Sequence, residues 1–181
     1  MIIGITGTDG AGKGTVVEYL VNKRGFTHYS SRALITAEIE AQGLPVDRDT
    51  MRTVANDMRL NQGNDVIVQK AFEQIIADGV QDAIIESIRA VAEAEALRER
   101  GGVLLAVDAD QKLRYERIAA RGSASDHISF MKFQEQEAIE MNDPDPNGMQ
   151  KAQVIAMADY TILNDNNLEE LHAQIDQILQ Q

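Results

Sequence analysis

The sequence contains no cysteine, so no disulfide holds the chain together and no thiolate serves as nucleophile or metal ligand. That is compatible with a reducing cytoplasm, where we expect the protein to reside. Basic residues are scarce: 17 lysines and arginines against 29 aspartates and glutamates give a net charge of −12. Nucleic acid is therefore not an expected partner, because a phosphate backbone needs a basic footprint, although a local arginine cluster can still serve a small anion. No apolar run reaches the length of a membrane span, and the first residues read as strand and turn rather than as a signal peptide, so no membrane partner is expected. The three histidines, His28, His127 and His172, share no ligand spacing, which argues against zinc. Internal repeats, low-complexity tracts and an interdomain linker are absent as well. The 181 residues suffice for one well-cored α/β domain spanning 1–181.

What is present begins with an apolar run, Met1 to Ile5, that predicts a buried strand, followed by Gly7-Thr8-Asp9-Gly10-Ala11-Gly12-Lys13-Gly14-Thr15. This stretch fits G-x-x-x-x-G-K and leads into a helix predicted from Thr15 to Lys23. A chain that leaves a strand and turns into a helix aims several backbone N–H groups at one point, and the helix N-terminus adds partial positive charge there. The glycines let the backbone approach an anion closely, and Lys13 reaches over the loop toward terminal phosphates. The spacing, the lysine, the strand before and the helix after all favour nucleotide binding over a ligand-free turn. One feature is unusual. Where a serine or threonine ordinarily serves Mg²⁺ directly after the lysine, this chain has Gly14, with the hydroxyl one residue later on Thr15.

Further strands are predicted at Phe26 to Ser30, Ala83 to Ile85, Val103 to Val107 and Tyr160 to Leu163. Between the second and third strands lies an all-helical excursion: Ala33 to Ala41, Thr50 to Leu60 behind an Asp47 or Asp49 cap, and Val66 to Ala77 with its apolar face at 67, 68, 71, 72, 75 and 76. Helices also read at Ala90 to Arg100, Gln111 to Arg121, Ser129 to Met141 and Met149 to Met157, with a closing amphipathic one from Leu168 to Leu179. Residues 143–148 carry two prolines and a glycine and must be irregular. Methionines 131, 141, 149 and 157 read as core filler. Strands alternating with helices imply a parallel sheet covered on both faces, whose ligands bind beyond the carboxyl ends of the strands.

By that rule Glu86 and Arg89, just past the third strand, become site candidates. A carboxylate at Glu86 suits a Mg²⁺-bound water or the phosphoryl acceptor, or alternatively caps the next helix. The Arg89 guanidinium suits bidentate phosphate binding. Arg114, Arg117 and Arg121 fall on one face of one helix, where they either serve an anion or form a solvated surface. Arg32, Arg52 and Arg59 in the helical excursion either meet an acceptor phosphate or pair with Asp47, Asp49 or Asp57.

The string Gly12-Lys13-Gly14-Thr15 resembles the adenylate kinase branch of nucleoside monophosphate kinases, and Asp9 to Lys13 is also similar to thymidylate kinases. His28 to Ile35 resembles the segment that opens the monophosphate-binding helices of adenylate kinases. Glu86-Ser87-Ile88-Arg89 resembles a variant of the Asp-Gly-x-Pro-Arg motif, and Arg117 with Arg121 resembles lid arginines. Ala158 to Asn164 with Leu168 to Leu171 is similar to the last strand and helix of dephospho-coenzyme A kinases. The resemblance covers nearly the whole chain. It implies a P-loop three-layer α/β/α sandwich with a five-stranded parallel sheet, a helical acceptor-binding insertion near 31–80 and a short lid near 117–130.

The resemblance also implies ATP and Mg²⁺ as cofactors and a small nucleotide as acceptor, handled by a monomer or homodimer. Gly7, Asp9, Gly10, Ala11, Gly12, Lys13, Gly14 and Thr15 would hold the donor, and Thr15 with Glu86 the metal. Arg89 would grip the acceptor phosphate, Arg117 or Arg121 would neutralise the transferring group, and Ser31, Arg32 and Arg59 would meet the acceptor. The chain departs from the pattern at Glu86-Ser87 in place of Asp-Gly, at Thr36 where adenylate kinases offer an arginine, and in its short lid. A nucleoside or deoxynucleoside monophosphate is the first acceptor implied. Dephospho-coenzyme A is the second, with Asp9 or Glu86 as base, and a nucleotide-holding module without turnover is the third.

Overall fold

Strands that are apolar on both sides must be buried on both sides, and the computed structural model, which describes residues 1–121, 128–142 and 150–181, shows how this chain achieves it. The strands are β1 (Ile2–Gly7), β2 (Thr27–Ser30), β3 (Ala83–Glu86), β4 (Val103–Asp108) and β5 (Tyr160–Leu163). They form one five-stranded sheet in the order β2-β3-β1-β4-β5, and every pairing is parallel. Nearly all of β1 is buried, as a central strand with neighbours on both edges must be.

The helices are α1 (Lys13–Arg24), α2 (Ser31–Ala41), α3 (Arg48–Gln62), α4 (Val66–Ala77), α5 (Val91–Glu99), α6 (Gln111–Arg121), α7 (Phe130–Met141), α8 (Lys151–Ala156) and α9 (Leu168–Leu179). One sheet face packs Ile3, Ile5, Ile84, Leu105 and Ile162 against Val16 and Leu20 of α1 and Leu171 and Ile175 of α9. The other packs Ile85 and Leu104 against α2, α3, α4 and α5, with Val154 of α8 joining them. The result is the expected three-layer α/β/α sandwich, with the helical excursion over one face.

Local signals set the helix boundaries. Asp47, rather than Asp49, caps α3 by accepting the Thr50 N–H at 2.8 Å, and Asn167 caps α9 by accepting the Glu170 N–H at 3.0 Å. Glu86 caps nothing. The start of α5 is instead closed by Glu93, whose carboxylate accepts the N–H groups of Arg89 and Ala90 at 2.8 and 3.1 Å. Two readings of apolar residues as core are corrected: Ile76 is 77% exposed and Met131 70% exposed. Each lies at the solvent edge of its helix, where a neighbouring apolar residue, Ile75 or Phe133, takes the inward position. Of the lid expected near 117–130, the stretch 122–127 lies outside the described residues, as does Met149.

Gly4 shows how closely the layers approach. A Cβ built there meets Leu97 Cδ2 of α5 at 2.3 Å and Ile88 Cγ1 at 3.2 Å, and Leu97 is wholly buried with no room to retreat. Gly4→Ala should therefore overpack the β1–α5 interface and lower stability by about 1–3 kcal/mol, measured by urea or thermal denaturation. An unchanged midpoint would mean that Leu97 is not fixed there.

Candidate active site at the carboxyl ends of the strands

The turn from β1 into α1 is built by backbone geometry. Gly12 is the residue that precedes α1 and has φ +95°, and a Cβ on it would strike the Asn164 amide at 2.3 Å. That amide donates to the Ala11 carbonyl at 2.8 Å, which ties the loop to the turn after β5. The Lys13 ammonium lies across the loop and donates to the carbonyls of Gly7 and Thr8 at 3.1 and 2.7 Å. Burial lowers the Lys13 pKa, Asp9 opposes that shift, and the Lys151 and Arg89 charges reinforce it. A cation that is costly to bury unpaired is a strong phosphate ligand, because a polyanion beside it relieves the cost.

A cavity of about 870 Å³ opens over this loop. Its walls include Asp9, Gly10, Gly12, Lys13, Gly14 and Thr15 from the loop, Glu86 and Arg89 from the end of β3, and Arg117 and Arg121 from α6. The residues singled out in sequence for metal and transferring group, and those for the donor other than Gly7 and Ala11, thus share one space, although they come from three separate stretches of chain. Among the described residues a Cβ at Gly14 would meet nothing within 4 Å, so no described neighbour excludes a side chain beside the lysine.

Glu86 is partly buried, and its Oε2 lies 2.9 Å from His28 Nε2 on the adjacent β2. That hydrogen bond lowers the Glu86 carboxyl, burial opposes it, and the charges of Lys13 and Arg89 lower it further. Glu86 is thus held ionised, and together with the Thr15 hydroxyl it gives the cavity two hard oxygen donors. Among the described residues no group of three or more His, Cys, Asp or Glu is arranged around a metal ion. A Mg²⁺ arriving with nucleotide needs only one or two protein oxygens, which this pair fits.

The acceptor candidates are spread more widely. The Ser31 hydroxyl donates to the Glu86 backbone carbonyl at 2.6 Å, joining the β2–α2 junction to the end of β3. Arg32 is exposed on the first turn of α2, and Arg52 lies 3.6 Å from Asp49 on the surface of α3. Arg59 turns inward, where its Nη2 lies 3.6 Å from the buried Glu93, the residue that fixes the backbone of Arg89. None of Ser31, Arg32 or Arg59 is among the described residues that line the cavity.

Of the three arginines on α6, Arg114 is buried and structural. Its Nη1 donates to the Asp9 carbonyl at 3.2 Å and to Glu137 of α7, and its Nε donates to the Ala109 carbonyl at 2.9 Å. Arg117 Nη2 donates to the Asn164 carbonyl at 2.9 Å, while its buried Nη1 has no hydrogen-bond partner among the described residues. Arg121 is exposed at the end of α6 and at the cavity wall. Sequence reasoning missed the carboxylates of α7, Glu137 and Glu140, and the buried Lys151. The acidic pair at three-residue spacing was a signal for a shared helix face, but nothing local marked Lys151.

Asp9 sits among these charges. Its Oδ2 accepts from Lys151 Nζ at 2.9 Å, and its Oδ1 lies 3.6 Å from Lys13 Nζ. Burial would raise the Asp9 carboxyl, but the charges of Lys151, Lys13 and Arg89 overcome it and hold the group well below the usual carboxylate range.

A glycine-rich strand-to-helix turn with a lysine across it, at the carboxyl ends of an all-parallel sheet, defines a P-loop domain. The sequence pattern of the AAA domain family matches residues 3–143. A UPF0200 protein of Pyrobaculum aerophilum is 30% identical over 181 residues, covering 98% of this chain and 96% of that protein. The chain belongs to the AAA domain family and to the UPF0200 proteins.

Among solved structures, TT1252 from Thermus thermophilus superposes with TM-score 0.65 at 21% identity, over 99% of this chain and 96% of that one. A shikimate kinase from Aquifex aeolicus gives 0.59 at 14% identity, over 99% and 96%. A dephospho-CoA kinase from Campylobacter jejuni also gives 0.59, at 18% identity, over 99% and 95%. At these identities the likeness is one of fold.

The Asp9 environment has a pH consequence. Because its folded-state carboxyl lies below the ordinary value of 3.8, the stability it contributes is complete above that value. That stability drains away as pH falls through 3.8 toward the depressed folded value. Acid unfolding followed by circular dichroism should therefore be steeper below about pH 4 in the unmodified chain than in Asp9→Asn. Equal slopes would show that Asp9 is not held by its lysines.

Proposed function

We propose that the protein is an ATP- and Mg²⁺-dependent phosphotransferase whose acceptor is a small nucleotide, with a nucleoside or deoxynucleoside monophosphate as the favoured class. The observation that carries this reading is the meeting of Lys13, Thr15, Glu86, Arg89, Arg117 and Arg121 on one cavity. Phosphoryl transfer passes through a state with negative charge spread over the moving group, so it needs positioning and electrostatic stabilisation more than covalent chemistry. Lys13 and the loop N–H groups would hold the donor phosphates. Thr15 and Glu86 would hold Mg²⁺, which supplies charge neutralisation at those phosphates. Arg89 would grip the acceptor, and Arg117 or Arg121 would neutralise the group in transit. A phosphorylated acceptor supplies its own nucleophilic oxygen, so the pairing of Asp9 with Lys151 and of Glu86 with His28 costs this reaction no base. A hydroxyl acceptor such as dephospho-coenzyme A would need one of those carboxylates released.

The test is ADP release with ATP and Mg²⁺ against a panel of ribo- and deoxynucleoside monophosphates plus dephospho-coenzyme A, with products identified by mass spectrometry. A nucleoside diphosphate product supports the proposal and names the base. A 3′-phosphorylated coenzyme A overturns the monophosphate reading, and release no faster than without acceptor overturns the phosphotransferase. With an acceptor in hand, Lys13→Ala should cut turnover by about 10²–10³-fold, since it removes a cation from the transferring phosphates. Arg89→Met should raise KM for the acceptor by about tenfold or more while leaving KM for ATP within about threefold. A rise confined to ATP would move Arg89 to the donor side.

A further inference from the structure

A carboxylate inside a phosphate loop is a liability, because it repels the polyanion and attracts the lysine meant to bind it. In this chain Asp9 is that carboxylate, and it lies 3.6 Å from the Lys13 ammonium. We propose that Lys151 is a positioning residue that neutralises Asp9 in place of Lys13 and so keeps Lys13 available to nucleotide phosphates. This deepens the phosphotransferase reading and rests on its nucleotide-binding half.

Three observations support the role. Lys151 is 5% exposed, yet its Nζ donates to Asp9 Oδ2 at 2.9 Å, a closer and better-formed contact than the one between Asp9 and Lys13. Its backbone is fixed by an independent tie, since the neighbouring Gln150 N–H donates to the Arg89 carbonyl at 3.1 Å, and Glu140 of α7 accepts from the same ammonium. Lys13 meanwhile spends its hydrogen bonds on the carbonyls of Gly7 and Thr8, neutral acceptors that a phosphate can displace far more easily than a paired carboxylate. Without Lys151, Asp9 would be a half-exposed carboxylate left with Lys13, 3.6 Å away, as its near ammonium among the described residues, and Coulomb attraction would draw the two together. The residue acts through Asp9 and needs no contact with the nucleotide.

The experiment is direct binding of ATP with Mg²⁺ by titration calorimetry to the unmodified chain, Lys151→Met and the double variant Asp9→Asn/Lys151→Met, with a thermal melt of each. Lys151→Met should weaken binding by about tenfold or more, and removing the Asp9 charge in the double variant should restore it to within about threefold of the unmodified chain. A merely structural lysine would give a loss that the second substitution leaves in place, which overturns the inference, as does undiminished binding by Lys151→Met. If Lys151→Met fails to fold, the double variant decides alone: it removes both partners of the close pair, and weak binding by a folded double variant overturns the role of Lys151. Absence of ATP binding by the unmodified chain overturns the phosphotransferase reading and this inference with it.

Discussion

The charge placed at position 9 constrains the surroundings of the phosphate loop more than any other single residue. A loop that collects N–H groups and a lysine creates positive potential, and a carboxylate within it must be matched by cations that do not compete with a ligand. Lys151 approaches Asp9 from α8 and Arg114 binds its backbone carbonyl from α6. Each of these cations is then balanced by a glutamate on α7, Glu140 and Glu137. Helix α7 is thereby drawn against the loop by charge as well as by the packing of Phe133 near Tyr115 and Arg114. An acidic protein can thus gather cations around a phosphate loop: of the carboxylates on the cavity wall, Asp9, Glu86, Glu137 and Glu140 each have a basic partner.

The sheet supplies the other half of the arrangement. Parallel strands in register bring the ends of β1, β3 and β4 to one level, with Ile5 opposite Glu86 and Gly7 opposite Val107. Loop residues, Glu86 and Arg89 meet there because each ends or follows its strand by a few positions, while Arg117 and Arg121 are brought to the same place along α6. The turn after β3 is held by Ser87 and Ile88 N–H groups donating to the Ile5 carbonyl at 3.0 Å, by the Thr6 hydroxyl on the Ile88 carbonyl, and by Glu93 on the N–H of Arg89. Arg59 of α3 contacts the same Glu93, so the helical excursion is coupled to the position of Arg89 without lining the cavity itself.

Much of this was legible residue by residue. Leu34, Ile35 and Ile39 recur at helical spacing and are buried together, and the β-branched run of β1 is central. Asp47 stands directly before its helix and caps it. The misreadings share a cause. Ile76 and Met131 are apolar side chains beside the buried stripe, and periodicity cannot say where a neighbouring element stops covering a helix. Arg59 was weighed against the aspartates nearest in sequence, yet its partner Glu93 lies across the fold.

The sequence by itself determined the strand-to-helix alternation, the parallel sheet and the phosphate loop, because apolar period, glycine placement and capping are short-range properties. It also marked Glu86, Arg89 and Arg121, since each follows or ends a recognisable element, and Arg117 by its helical spacing with Arg121. Only the tertiary structure decided which charges neutralise one another. Lys151 with Asp9, Glu137 with Arg114, His28 with Glu86 and Arg59 with Glu93 join residues 23 to 142 positions apart. A Coulomb interaction depends on separation in space and on local burial, neither of which is written in the order of residues along a chain.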